Sequence, residues 1–448
     1  MSESRPVDRR QFLASAAAAT IVSSTSLGNR TRAAANDRIN LGVVGLGSRG
    51  FNLLDEFLGH ADAQIVAVCD VDSLHYRDNP WGKGKTFGRE PAQQAVDRHY
   101  ARDKSGTVSR GVKVYGDFRE VCSQPEIDAI VVATPDHWHA LCTLTALRAG
   151  KDVYCEKPVT HFFHEGQAVY REVASRQAVF QTGSQQRSDP IFRHAVELVI
   201  NGHIGKVQRV EVGLPPGYDK PQGDTTVQQP PTSIDYDMWC GPAPVLPYMR
   251  ARHHRWWRGH RAYGGGVLMD WIGHHNDITH WALGMDRSGP TKISAVGWTF
   301  PDTSIYNTPH HYEIQCEYAS GVSTSIANRH PIGSKIIGDE GWIYVRRGKL
   351  ETSDARIASL DFDCGPKKVY HSDNHVRNFL DCVRLRKECI APAETAHRSI
   401  TPGHLGYVSQ ALGRALNWDS DQEAFVEDEE ANQLLSVGEY RMPWQLDG

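Results

Sequence analysis

The sequence predicts an α/β protein in two parts: a doubly wound parallel sheet, then an α+β domain with a large, mostly antiparallel sheet. Three observations carry this. Up to about Thr160, short apolar runs alternate with helical patterns, as strands covered on both faces by crossover helices require. Between residues 205 and 350 come longer segments with in–out alternation, "KVQRVEVGL", "TKISAVGWTF", "HHYEIQCEY" and "GWIYVRR", the pattern of strands with one wet face. The length, 448 residues, also exceeds what one hydrophobic core organises.

Taken in order, the chain begins with Arg9 and Arg10, then Phe12, Leu13, an alanine-rich run, and small residues at 33–35. That succession is an export signal, and the paired arginines point to the twin-arginine (Tat) route, with cleavage after Ala35. The apolar run is too short and serine-rich to span a bilayer. Ile39–Val44 reads as a buried strand, Gly45–Gly50 as a glycine turn, Phe51 onward as a helix, and "AQIVAVCDV" as the second strand. A polar excursion over 75–111 holds a loop and a helix opening at Pro91. "VKVYGDF", "IDAIVVATP" and "DVYCEKP" supply further strands, with "HALCTLTALRAG" a helix ending at Gly150. Leu214–Pro247, rich in proline and glycine, is expected as surface loop. The expected boundaries are 1–35 (signal), 36–160 (first domain) and 161–448 (second domain).

Composition narrows the function. Hydrophobic residues make up 40% and charged residues 23%, as in ordinary globular proteins. Residues 1–35 carry five arginines against two carboxylates, so their removal takes the formal charge from −4 to about −7. Mild acidity offers no footprint for nucleic acid or an anionic membrane. Nine cysteines without a C-x-x-C pair indicate neither a zinc ribbon nor a disulfide framework, and read as small buried hydrophobes.

Gly45, Gly47 and Gly50 form G-x-G-x-x-G between an apolar strand and a helix, and the next strand ends in Asp70. Such glycines let backbone approach a pyrophosphate seated on the helix N-terminus, and a carboxylate some 20 residues on accepts from the adenosine ribose. The first domain therefore reads as a Rossmann unit. Asp70 repels a 2′-phosphate and favours NAD, while Arg49 in the turn leaves NADP open. "ATPDHWHA" and "CEKP" end parallel strands, where ligands bind in open α/β sheets. A lysine before proline is held extended, so Lys157 projects over the sheet edge towards the nicotinamide. In "GGGVLMDWIGHHNDITHWALG", Asp270, His274 and Asp277 fall on one helix face, and a carboxylate one turn from a histidine is a proton-transfer unit.

With "GVVGLGSRG", "VCDVD", "ATPDHWHA", "EKP" and the D-x-x-x-H-x-x-D helix, the mature chain resembles the glucose–fructose oxidoreductase/inositol dehydrogenase/MocA family. "TGSQQRS", "YRMPW" and the Tat signal are similar to its exported bacterial branch. The resemblance implies Lys157, Asp270 and His274 around the reacting carbinol, with His274 as base, Lys157 on the same oxygen and Asp270 orienting the site. It implies cofactor contacts from Gly45, Gly47, Ser48, Arg49, Gly50, Asp70, Thr134, Pro135, His137, His139, Glu156 and Lys157. It also implies a homodimer or homotetramer built on the open sheet, and a sugar or cyclitol substrate.

The stretch "RARHHRWWRGHRAYGGG" offers a sugar platform from Trp256, Trp257 and Arg258, with Asp277 as a further substrate contact. A solvated loop fits it equally well. A metal held by His253, His254 and His260 has no supporting motif, and no metal is expected. His371, His375 and His404 receive no role. The activity expected is hydride transfer between a sugar carbinol and a tightly held NAD. The alternatives are a redox-neutral glycosidase or epimerase, disfavoured because the family's glycosidase branch lacks the EKP lysine, and a non-catalytic NAD-binding sensor.

Overall fold

The computed structural model describes residues 38–77, 84–101, 111–435 and 440–446. The twin-arginine segment and its cleavage site lie outside them. Six strands form the first sheet: β1 (Ile39–Val44), β2 (Ala63–Cys69), β3 (Lys113–Tyr115), β4 (Ala129–Val132), β5 (Asp152–Cys155) and β6 (Phe180–Thr182). Their order is β3-β2-β1-β4-β5-β6 and every pairing is parallel. This is the dinucleotide-binding order, with its switch point between β1 and β4. β4 and β5 are buried throughout and β1 at all but Asn40, because helices cover both faces. Those helices are α1 (Ser48–Leu58), α2 (Arg89–Ala101), α3 (Phe118–Cys122), α4 (Asp136–Arg148) and α5 (Phe163–Arg176). The sheet runs on to Thr182, past the change in sequence character at Thr160.

After α6 (Pro190–Ile200) the chain enters the second sheet through β7 (Val207–Gly213). A strap with one short helix, α7 (Tyr236–Cys240), then leads to the long helix α8 (Gly266–Leu283). The remaining strands are β8 (Lys292–Thr299), β9 (His311–Glu317), β10 (Ser323–Ala327), β11 (Gly333–Gly338), β12 (Trp342–Arg346), β13 (Lys349–Thr352), β14 (Leu416–Asp419) and β15 (Ala424–Phe425). Helices α9 (His375–Leu385), α10 (Ala393–Leu412) and α11 (Glu429–Leu434) interrupt and follow them. The nine strands run β13-β12-β11-β7-β10-β9-β8-β14-β15, with β7–β10 the one parallel pair. β9 alternates exposed and buried along its length, so one face meets the core and the other is wet.

Helix α8 lies against the inner face and is buried at 16 of its 18 positions, histidines and aspartates included. Gly403 of α10 lets the two helices close, since a Cβ there would stand 2.4 Å from the Met269 sulfur. All nine cysteines are buried and free. Among the described residues no helix is long and apolar enough to cross a membrane.

The expectation that Leu214–Pro247 is surface loop needs correction. Ile234, Trp239, Cys240 and Ala243 are buried and pack with Trp257 and Tyr263. Backbone bonds tie the strap to the end of β2: Ser73 N–H donates to Ser233 O at 2.8 Å and Asp235 N–H to Val71 O at 3.0 Å. Proline and glycine set its path, but its apolar side chains dock it over the sheet edge. The C-terminal "YRMPW" clasps the same region: Arg441 donates to Gly241 O and Asp237, and the Trp444 ring lies 4.7 Å from that of Trp138.

Candidate active site

A cavity of about 710 Å³ opens at the C-terminal ends of β1 and β4 and runs beneath the strap to α8. Its wide end is built by the glycine turn. Gly45 has φ +88°, and a Cβ there would stand 2.6 Å from Ala133 backbone. A Cβ on Gly50 would lie 1.9 Å from Gly45 O, so this glycine shapes the turn from behind and does not line the cavity. Gly47 is different: nothing lies within 4 Å of its Cβ position, which faces the open cradle at the N-terminus of α1. The first amides of that helix are free for an anion. Ser48 Oγ and Thr134 Oγ1, both on lining residues, are buried without a protein partner.

Asp70 stands at the end of β2. Its Oδ2 accepts from Leu46 N–H at 2.6 Å and its Oδ1 from Asp72 N–H at 2.9 Å. Burial pushes its pKa up to about 6, against those two bonds. Each oxygen keeps a lone pair for a ribose hydroxyl. Arg49 turns away from it, donating from Nε to Glu156 Oε1 at 2.8 Å. Burial alone would raise the Glu156 carboxyl, but Arg49 and Lys157 outweigh it and hold it below the ordinary range. The guanidinium is thus committed at the EKP end, and Asp70 faces the adenosine end. These groups fit a dinucleotide without a 2′-phosphate.

The reacting end is built from α8. Lys157 Nζ donates to the Asp270 carbonyl and to Asp270 Oδ1, both at 2.6 Å. Arg258 Nε stands 3.1 Å from the same Oδ1, its guanidinium 4.2 Å from the Trp257 ring centroid. Burial opposes ionisation of Asp270, but Arg258 and Lys157 together hold its pKa far below the usual range. Asp270 therefore orients Lys157 and makes no hydrogen bond to His274, which corrects the expected carboxylate–imidazole pair. His274 Nδ1 is buried without a partner, and Nε2 is the accessible ring nitrogen on the cavity wall. Burial, with Lys157 and Arg347 adding to it, keeps this ring neutral well below pH 6.5.

Other expectations change position. Asp277 is buried away from the cavity in a two-pronged ion pair with Arg187, at 2.8 and 2.9 Å, and is not a substrate contact. Helix periodicity put it on the His274 face, but it lies a turn further along α8, off the cavity lining, where Arg187 takes its carboxylate. Trp256 also leaves the cavity, packing against Tyr218 and Gly223. Trp257 does line it, one face covered by Arg258. His137 is buried with its ring nitrogens 3.1 and 3.0 Å from the carbonyls of Tyr263 and Trp239, outside the cavity. His139 touches the cavity wall, but its ring bridges the carbonyls of Pro158 and Thr134, at 2.6 and 2.9 Å. Both rings join loops and are not free to meet a cofactor.

The His253, His254 and His260 set is not assembled. His253 packs between Trp239 and Tyr248, and His260 Nδ1 accepts from Ala262 N–H. Among the described residues, a ligand-like group forms instead from His254, Asp72 and His75, whose donor atoms lie within 4.8 Å of one another. The two rings stack at 3.5 Å, and Arg77 and Arg250 add positive charge beside them.

Residues missed from sequence are Asp136, Gln185, Gln186, Trp271 and the arginines at 255 and 347, all on the cavity wall. Asp136 lay inside the quoted "ATPDHWHA", and burial pushes its pKa up to about 7 against Arg258. Gln185 donates to Tyr154 Oη and Glu156, and "TGSQQRS" was its visible signal. Nothing near Arg347 in sequence marks it.

A six-stranded parallel sheet with a glycine cradle, joined to a lysine and histidine at its mouth, defines a dinucleotide-binding oxidoreductase. Residues 39–184 match "Oxidoreductase family, NAD-binding Rossmann fold" and residues 192–446 match "Oxidoreductase family, C-terminal alpha/beta domain". The chain belongs to the Gfo/Idh/MocA oxidoreductase family and binds NAD through its Rossmann domain. It is 25% identical over 281 residues to scyllo-inositol 2-dehydrogenase (NAD(+)) of Bacillus subtilis, covering 60% of this chain and 71% of that one. It is 30% identical over 176 residues to glycosyl hydrolase family 109 protein 2 of Shewanella sp. (strain ANA-3), covering 35% of each. Among solved structures, aldose–aldose oxidoreductase from Caulobacter crescentus, complexed with glycerol, shares the fold with TM-score 0.59 and 17% identity, over 85% of this chain and 99% of that one. GenD2 from gentamicin A biosynthesis, in complex with NAD, does so with TM-score 0.57 and 16% identity, over 90% of this chain and 100% of that one.

Proposed function

We propose that the protein is a dehydrogenase of sugar or cyclitol carbinols. The observation that carries this is Lys157, pinned to Asp270 by two of its three donors beside the accessible Nε2 of His274. NAD, when bound, accepts the hydride. The chain handles the proton. With its ring proton on Nδ1, His274 presents the Nε2 lone pair to the substrate hydroxyl and takes its proton. The third Lys157 donor stabilises the developing negative charge on that oxygen. Asp270 keeps the lysine aimed, and Arg258 shares the carboxylate's charge.

The strap over the end of β2 and the export signal both favour a cofactor that is loaded before export and retained, recycled in place by a second substrate. The same retention suits the redox-neutral cycle of a glycosidase or epimerase, and the glycosyl hydrolase relatives keep that second reading in view. The open nine-stranded sheet is the face we assign to a homodimer or homotetramer.

The test offers NAD-loaded protein a panel of sugars and cyclitols while NADH and released aglycone are followed together. Stoichiometric NADH supports the dehydrogenase, and product without net NADH supports the redox-neutral cycle. His274→Ala should lower kcat by about 10²–10⁴ with NAD still bound. Neither NADH nor product with any substrate refutes both readings. Periplasmic protein that is NAD-free and exchanges NAD within seconds refutes retention.

A further inference from the structure

We propose that the substrate of this site carries an anionic group, held by Arg347 with Arg255 on the same cavity wall: a sugar acid or a sugar phosphate. This rests on the dehydrogenase reading of the same site. Three cations on the cavity wall already have carboxylates. Arg49 pairs with Glu156, and Lys157 and Arg258 share Asp270. Arg347 and Arg255 do not: among the described residues, neither has a carboxylate oxygen within 4.0 Å.

Arg347 sits at the β12–β13 turn, from which it reaches the reacting end. Its Nε donates to Gln186 Oε1 at 3.0 Å, and Gln186 Nε2 donates in turn to the His274 carbonyl at 2.9 Å. Its guanidinium carbon lies 5.3 Å from the Trp271 ring centroid. One glutamine therefore ties the guanidinium to the helix turn that carries the base, and the indole supports it. Both terminal amino groups remain uncommitted.

That is the arrangement of a fork waiting for two oxygens. Arg347 is an exposed residue at the cavity mouth, yet its Nε bond to Gln186 and its contact with the Trp271 ring already restrain the guanidinium, so less freedom is left to lose when an anion binds. Two parallel N–H donors match a carboxylate or phosphate, whereas sugar hydroxyls use the charge poorly. Arg255 adds a second positive charge beside the Tyr218 hydroxyl. A site evolved for neutral polyols has no need of two unpaired arginines next to Lys157 and Arg258, where like charges repel.

The experiment is calorimetric titration of the NAD-loaded protein with matched pairs: glucose and glucuronate, galactose and galacturonate, mannose and mannuronate, with glucose 6-phosphate as the phosphate arm. At least one acid or the phosphate should bind about tenfold or more tightly than its neutral partner. Arg347→Gln should erase that preference, Arg347→Lys should restore part of it, and added salt should weaken the anion alone. Preference for the phosphate identifies the anion as phosphate, and preference for a uronate identifies it as carboxylate. If no anion binds more tightly than its neutral partner, including the case where none binds, the inference is wrong. It is equally wrong if the preference survives Arg347→Gln combined with Arg255→Gln. Anion binding without any redox change would sink the dehydrogenase reading and leave this one, and neutral sugars reducing NAD indifferently to Arg347→Gln would do the reverse.

Discussion

Replacing Lys157 with methionine removes the ammonium and keeps most of the side-chain volume. Two losses should follow, and they can be separated. The first is catalytic: the donor stabilising the substrate oxygen disappears, and removal of one such preorganised donor costs about 10²–10³ in kcat. The second is structural. Lys157 and Asp270 are 13% and 12% exposed in their side chains, so the methionine leaves a nearly buried carboxylate short of one of its two cations. Breaking a buried pair costs about 3–5 kcal/mol, and because Arg258 remains 3.1 Å from Oδ1, the lower figure of about 3 applies. Asp270→Asn in the Lys157→Met background should recover part of that stability and none of the rate, since it removes the orphaned charge without restoring a donor. Steady-state kinetics at saturating substrate reads the first loss and denaturant unfolding the second, with NAD retention measured on both variants. A Lys157→Met enzyme within tenfold of wild-type kcat would refute the role given to this lysine.

Three further outcomes are expected. Gly47→Ala should change stability by no more than about 1 kcal/mol, because its Cβ position is empty of protein, yet weaken NAD about tenfold or more by filling the cradle; unchanged NAD affinity would place the pyrophosphate elsewhere. Asp277→Asn should destabilise the fold by about 3 kcal/mol in denaturant titrations through the buried Arg187 pair, with kcat of the folded enzyme unaltered, and a selective rise in KM would return this residue to the substrate site. His375 donates from Nε2 to Thr182 O and accepts at Nδ1 from Ser188, and burial lowers its pKa to about 4. The unfolded ring titrates near 6.5, so its contribution is complete above that pH and is lost as pH falls towards 4, about 2 kcal/mol between pH 7 and 5. His375→Gln should flatten the stability–pH slope by that amount, and parallel slopes would refute it.

Much of the architecture was legible because its determinants are local. Continuous apolar runs can be satisfied only by strands covered on both faces, and G-x-G-x-x-G needs the turn geometry that glycine alone permits. Asp70, Lys157, Asp270 and His274 could be proposed from their places at strand ends and on one helix face, and the structure brings all four to a single cavity. Long-range electrostatics decided the rest. Asp277 shares a helix face with His274, but it lies off the cavity, and Arg187, 90 residues away in sequence, occupies its carboxylate. Asp270 was paired with His274 by spacing, whereas Lys157 and Arg258 claim it in space. The family resemblance put His137 and His139 beside the cofactor, yet backbone carbonyls occupy their ring nitrogens, those of Tyr263 and Trp239 for His137 and of Pro158 and Thr134 for His139. Arg347 had no sequence mark at all, since a hairpin turn becomes part of an active site only when the second sheet lies against the first domain. Sequence alone determined the strands, the cradle and the identities of the chemical groups, because each follows from local sterics and burial. Which charges pair, and hence which cations remain for a ligand, was decided by tertiary structure, because Coulombic partners are chosen by distance in space and by the cost of leaving a buried charge alone.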